Sequence, residues 1–353
     1  MALDRRSWNR RARAHPASVR RDASASRTAT VGGPSAVRTF CAGRRCWIFA
    51  AQWPSSTAVS ATHDGPRGLP GHLDELNRSL IVGVLNVTPD SFSDGGRYDD
   101  VESAIAHGRA LYAGGADVVD VGGESTRPGA ARTAPEIERE RVMPVVGALA
   151  EAGVPVSVDT INASTAAAAV GAGAVIVNDV SGGLGDPGML DTVAALGTTY
   201  VCMHWRAYSD QMDDHAVYDD VIGEVRDELA ARLDACVAAG IDLERVVIDP
   251  GLGFAKTPAH NWMLLGGLDE LATLGRPILV GASRKRFLGE LLADSGTGAQ
   301  RAPSGRDVAT STLSALASLR GVWAVRVHDV VATHDAIRAA HAWSTHQLDQ
   351  RDV

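Results

Sequence analysis

Lysine is almost absent from this chain. Of 34 basic side chains only two, Lys256 and Lys285, are lysines, and both lie in glycine-bearing segments, GLGFAKT and GASRKR. Codon bias accounts for the shortage but less well for the location. Arginine serves wherever charge alone suffices, so Lys285 is expected to be kept for a compact, flexible ammonium that a planar guanidinium does not replace. Aromatic residues are also scarce, at 5%, so a core has to be built from Val, Ala, Leu and Ile. The four cysteines make no metal set. Cys202 and Cys236 read as buried small hydrophobes, and Cys41 with Cys46 lacks the second pair that a zinc site needs. This usage fits a reducing cytoplasm. No apolar run approaches the roughly 20 residues of a membrane-spanning helix, and WIFAAQW (Trp47–Trp53) is too short, so no membrane partner is expected. The net charge of −8 is uneven: residues 1–50 hold eleven Arg and two Asp, and the remainder carries −17. So acidic a body excludes general nucleic-acid binding, which needs a basic face.

What is present instead is a repeat. Eight short β-branched or apolar runs lead into helix-like stretches, and all but one end on a polar or glycine residue. They are Ile81–Asn86, Ala116–Val121, Pro155–Asp159, Ala174–Asn178, Thr198–His204, Arg245–Asp249, Pro277–Gly281 and Val322–His328. Strands this apolar are buried on both faces, as in a parallel sheet covered by helices. Eight such units over roughly 250 residues predict a (β/α)8 TIM barrel, with its active site at the carboxyl ends of the strands. Helices are expected over Val101–Gly114, Ala134–Ala152, Ala163–Ala172, Gly188–Leu196, Val217–Ala239 and Pro258–Leu274. Another starts near Arg284, is interrupted over Asp294–Gly305 and resumes at Asp307–Leu319; the last runs from Val330 to Trp343. The barrel is expected over residues 73–345, with a tail at 346–353. Residues 1–72 are rich in Arg, Ser, Ala and Pro and lack periodicity. They read as a disordered extension or as translation from a start codon placed too far upstream; a transit peptide shares the composition.

The strand ends carry the chemistry. Asn86 opens a long loop, VTPDSFSDGG, with Phe92 and Asp94, of the kind that acts as a lid or clamp. Asp120–Ala130 (DVGGESTRPGA) pairs two glycines, which let backbone approach a ligand, with Arg127, whose fork suits phosphate or carboxylate. Asp159, Asn178 and Asp249 end three further runs. Any one of them fits a helix cap or a metal ligand, but three together match a flat heterocycle bearing N–H donors and C=O acceptors. Ser283, Arg284, Lys285 and Arg286 stand at a helix start that favours an anion. Arg326 and His328, two residues apart, share one side of the last strand, where Arg326 can stack on an aromatic face and His328 can reach an oxyanion. The set suits displacement of a phosphate-type leaving group better than hydrolysis by a protein nucleophile.

In order, the strings NVTPDSFSDGG, DVGGESTRPGA, SVDT, VND, DPGLGF, GASRK and RVHD across residues 80–330 closely resemble the dihydropteroate synthase family. MHWRA and GLGFAKT resemble its actinobacterial branch. The resemblance implies a transferase of folate biosynthesis. It would condense 6-hydroxymethyl-7,8-dihydropterin pyrophosphate with p-aminobenzoate to dihydropteroate and pyrophosphate, with Mg2+ as cofactor. Sulfonamides mimic p-aminobenzoate in this family. By the same resemblance Asp159, Asn178, Asp249 and Lys285 bind the pterin and Arg326 packs on its ring. Asn86, Arg127 and His328 hold the pyrophosphate, with Asn86 on the metal. Thr126, Pro128, Phe254, Ser283 and Arg286 frame p-aminobenzoate, and Phe92 and Asp94 close over the reacting centre. The catalytic set is then Phe92, Asp94, Arg127, Lys285 and His328. The family also implies a homodimer. Many relatives place Ser where Arg286 stands, and the first 72 residues have no counterpart. Two rival readings use the same barrel: a pterin-dependent methyltransferase, which has no use for a pyrophosphate site, and a non-catalytic pterin-binding paralogue.

Overall fold

The computed structural model describes residues 65–88, 97–124 and 132–349. Eight strands alternate with helices: β1 Leu80–Asn86, β2 Val118–Gly122, β3 Val156–Asp159, β4 Ile176–Asp179, β5 Thr199–Met203, β6 Val246–Asp249, β7 Leu279–Val280 and β8 Ala324–Val327. The helices are α1 Gly71–Asp74, α2 Arg97–Ala113, α3 Pro135–Glu151, α4 Ala163–Gly171, α5 Met189–Leu196 and α6 Val221–Ala238. They continue as α7 Pro258–Gly266, α8 Leu268–Ala272, α9 Arg286–Leu291, α10 Asp307–Leu319 and α11 Val330–Asp349. All strand pairs are parallel, in the order β6-β5-β4-β3-β2-β1-β8-β7. A bridge between Ile248 and Ile278, with the Ile248 N–H donating to Pro277 O at 2.9 Å, joins β6 to β7 and closes the ring. Pro277 has no N–H to give, which accounts for the thin seam. This is the expected (β/α)8 barrel.

Because strand side chains alternate, each strand sends every second residue inward. Leu80, Val82, Val118, Ile176, Val201, Val247, Leu279 and Ala324 form one buried apolar cluster with Leu73 and Trp323. That cluster fills the barrel up to the level where the inward residues turn polar. The outward set, with Ile81, Leu85, Val119, Val158, Val177 and Ile248, packs against the helices in a larger core.

Residues 65–72, assigned above to the extension, belong to the barrel. The Arg67 N–H donates to Glu244 O at 2.7 Å, and Thr199 Oγ1 donates to Arg67 O at 3.0 Å. Gly68 takes φ 101°, and a Cβ there would meet the Arg245 guanidinium at 2.2 Å. The barrel therefore begins before residue 73. Other differences have local causes. The helix expected from Val217 starts at Val221, after an extended Asp220, and Glu224 accepts the N–H groups of Asp219 and Asp220 at 2.7 and 3.0 Å. The helix expected over 258–274 breaks at Gly267, where a Cβ would lie 2.6 Å from Ile222. The one expected from Arg284 begins at Arg286, because Arg284 is left-handed at φ 58°. The first long helix starts at Arg97 rather than Val101, and the last continues past Trp343 to Asp349.

Candidate active site

The polar layer begins where the apolar plug ends. Arg326, on β8, crosses the barrel mouth: its Nε donates to Asp120 Oδ2 at 2.6 Å and its Nη2 to Asp159 Oδ2 at 2.7 Å. Asn178, on β4, donates its amide N–H to the same Asp120 Oδ2 at 3.0 Å. Four side chains from β2, β3, β4 and β8 are thus locked together. Asp120 is fully buried, and among the described residues its Oδ1 has no hydrogen-bond partner. A buried carboxylate oxygen left without a donor is costly, so the site holds acceptor capacity that the described residues do not use. Burial would weaken the charge on Arg326, but Asp120 and Asp159 hold its pKa above the ordinary value. Burial lifts Asp159 to about 7; Arg326 opposes the shift and Asp120 adds to it.

A second group faces this one. Asp249, at the end of β6, accepts the Gly251 N–H through Oδ1 at 2.7 Å. A Cβ placed on Gly281 would lie 3.8 Å from Asp249 Oδ2, 3.8 Å from Lys285 Nζ and 4.0 Å from Arg326 Cβ, so the three side chains surround one point. Burial raises the Asp249 carboxyl, against the pull of Lys285. Burial lowers Lys285 to about 8, while Asp249 pulls it up. The Lys285 ammonium donates to the Leu252 carbonyl and sits 4.7 Å from the centre of the Phe254 ring. The five residues expected to read a heterocycle, Asp159, Asn178, Asp249, Lys285 and Arg326, therefore come together at the carboxyl ends of the strands.

On the β7–β8 side, Ser283 Oγ and His328 Nδ1 are 2.9 Å apart, and the His328 N–H donates to Ser283 Oγ at 3.2 Å. Asn86 ends β1, which lies between β2 and β8. Arg284 is tied to Asp307 by two bonds of 2.7 and 2.8 Å, a structural role. Arg286 is exposed and pairs with Asp213, in the loop after β5, at 3.1 and 3.3 Å. Phe92, Asp94, Thr126, Arg127 and Pro128 lie outside the described residues. Among the described residues no cluster of three or more His, Cys, Asp or Glu is arranged to hold a metal. Asn86 offers one amide oxygen at the rim, which suits a hydrated Mg2+ that takes its other ligands from water and a substrate phosphate.

Two features escaped the sequence reading. Asp120 is one of two acids in the run ADVVDV, and only register separates it from Asp117, which binds Arg78 and the Ile81 N–H at the far end of the barrel. The other is a buried chain behind the site. Lys256 Nζ is 2.9 Å from His204 Nδ1, and His204 Nε2 is 2.9 Å from Glu228 Oε2. The scarcity of lysine marked Lys256, but nothing in the sequence paired it with His204.

Comparison with known proteins gives this geometry a family. Residues 82–328 match the family model of pterin binding enzymes. The dihydropteroate synthase of Mycobacterium leprae (strain TN) is 57% identical over 264 residues, 74% of this chain and 93% of the relative. Xanthomonas albilineans dihydropteroate synthase with 4-aminobenzoic acid superposes with a TM-score of 0.69 and 45% identity, over 77% of this chain and 94% of that one. The same bacterium's enzyme in complex with 7,8-dihydropteroate gives 0.66 and 43%, over 77% and 94%. The chain belongs to the pterin-binding enzyme family, among its dihydropteroate synthases.

Proposed function

We propose that this chain is a transferase that condenses 6-hydroxymethyl-7,8-dihydropterin pyrophosphate with p-aminobenzoate, yielding 7,8-dihydropteroate and pyrophosphate for folate synthesis. The observation that carries this reading is the cluster at the barrel mouth. Two pairs, the acid and amide of Asp159 with Asn178 and the acid and ammonium of Asp249 with Lys285, flank the Arg326 guanidinium. A dihydropterin presents N–H donors and a carbonyl in one plane, which those groups complement, and Arg326 offers a flat cation to its π-face.

The reaction needs little proton transfer. The C–O bond to pyrophosphate ionises, leaving a cation delocalised into the dihydropterin; the aniline nitrogen then attacks and loses a proton. The chain's part is to hold both partners in line and to set charges where charge develops. In this scheme Arg127, His328 and Asn86 hold the departing pyrophosphate, and Asp94 faces the cation while Phe92 helps close the loop. Thr126, Pro128, Phe254, Ser283 and Arg286 frame p-aminobenzoate. Mg2+, bound through Asn86 and the substrate, would neutralise charge on the leaving group. We further assign a homodimer and a cytoplasmic location. Exposed Met263, Leu291, Val308, Leu316, Leu319 and Val331 on α7 and α9–α11 support the first. The buried free thiols of Cys202 and Cys236 accord with the second.

The test is direct. The purified chain, given both substrates and Mg2+, is expected to release dihydropteroate and pyrophosphate in equal amounts, and to lose pyrophosphate-substrate binding when Mg2+ is chelated. Pterin binding without product would identify a non-catalytic paralogue. Unchanged binding after chelation would remove the metal from the scheme.

A further inference from the structure

The segment joining β6 to α7 adopts a backbone that its sequence resists. Gly251, Gly253 and Ala255 all take left-handed φ, at 66°, 75° and 46°. The glycines accept this freely, but Ala255 carries a Cβ and is strained there. Such strain persists only where surrounding contacts over-determine the backbone. Two of these contacts are ordinary turn chemistry. Asp249 accepts the Gly251 N–H at 2.7 Å, and Asn261 accepts the Gly253 N–H at 2.6 Å while donating to Thr257 O at 2.7 Å.

The third contact is unusual. Lys256 is 3% exposed, and its ammonium donates to Phe254 O, two residues back, at 3.1 Å. It also donates to His204 Nδ1, at the end of β5, at 2.9 Å. Burial and the Lys256 charge hold His204 down at about 4, so its ring is neutral. The N–H then lies on Nε2, facing Glu228, and a lone pair on Nδ1 faces Lys256. Arg206 in turn grips Glu228 and Glu224. Among the described residues no carboxylate lies within ion-pair distance of Lys256. Burial lowers Lys256 itself to about 7, so holding its charge here is costly where an apolar side chain of the same length would fill the space. An ammonium has three donors on a narrow stem, which suits two acceptors reached through a close-packed gap.

What the turn presents on its other side gives the cost a purpose. The Leu252 carbonyl accepts from Lys285, and the Phe254 ring lies 4.7 Å from Lys285 Nζ. Phe254 also packs on the buried cluster of Ala207, Met212 and Ala255. We propose that Lys256 is a positioning residue for p-aminobenzoate. Anchored on His204, it pins the strained turn so that the Phe254 ring and the Leu252 carbonyl meet Lys285 at the reacting end of the site. The inference rests on the assignment of Phe254 and Lys285 to that end. Lys256 acts through the backbone it holds.

The experiment is steady-state kinetics on the full chain, with binding of dihydropterin pyrophosphate measured separately. Lys256→Met is expected to raise KM for p-aminobenzoate about tenfold, equivalent to about 1.4 kcal/mol, while the Kd for the pterin substrate moves less than about threefold. Ala255→Gly, which removes the strain, is expected to recover most of that loss when combined with Lys256→Met. If Lys256→Met does not fold, His204→Leu serves: it removes the acceptor facing Lys256 while Arg206 still holds Glu228, and the same split is expected. An unchanged KM for p-aminobenzoate, a parallel loss of pterin affinity, or no rescue by Ala255→Gly would overturn the inference. A wild-type chain that makes no dihydropteroate would instead overturn the reading on which it rests.

Discussion

At the scale of the residue, the site is governed by how far burial moves each charge. Asp159 is lifted to about 7, mainly by burial, although Arg326 donates to it at 2.7 Å. A heterocycle that presents N–H donors requires this carboxyl ionised. Below its pKa the group is protonated and ligand binding has to expel the proton; above it no proton is lost. Affinity for 6-hydroxymethyl-7,8-dihydropterin should therefore rise with pH, by up to about tenfold per unit below 7, and level off above it. Calorimetry across pH 5.5–8.5 checks this, and Asp159→Asn should flatten the curve. The ligand without its pyrophosphate is the right probe, because phosphate titrates in the same range. Asp120 shows why not every site residue was legible. Asp159, Asn178 and Asp249 announce themselves by ending apolar runs, whereas Asp120 lies within one. Its role appears only once β2 is in register and Arg326, 206 residues away in sequence, has arrived.

At the scale of the element, the strands were legible and the joints were not. A strand covered on both faces is an apolar run whatever surrounds it, so all eight were found with ends shifted by a few residues at most. Joints depend on distant partners. Gly267 breaks a helix because Ile222 needs the space, and Arg284 is left-handed while Thr310 and Asp307 hold its N–H and guanidinium. Residues 65–72 look like tail until Glu244 and Thr199 are seen to bond Arg67 and Leu69 to pack under the barrel. A chain beginning at residue 65 should therefore melt close to the full-length protein. One beginning at residue 73 forfeits both hydrogen bonds and the Leu69 contact, a loss of about 2 kcal/mol. Scanning calorimetry should show its Tm lower by several degrees; equal melting of the two would return residues 65–72 to the extension.

At the scale of the whole molecule, the barrel separates stability from chemistry. The apolar plug of Leu80, Val82, Val118, Val201 and Val247 fills one half, and the polar layer around Arg326 occupies the other. The outer surface is less even, since Val308, Leu316 and Leu319 on α10 stay exposed although α10 packs closely on α11. If these residues face a second copy, Leu316→Glu should shift the chain from dimer to monomer in sedimentation, with the barrel intact. A wild-type monomer would refute the dimer. The central claim, that the strand-end cluster reads a pterin, is tested most directly by a crystal structure with dihydropterin pyrophosphate bound. The account predicts the heterocycle against Arg326, its edge bonded to Asp159, Asn178 and Asp249, and its pyrophosphate toward Asn86 and His328. A pterin seated elsewhere, or held without those carboxylates, would contradict it.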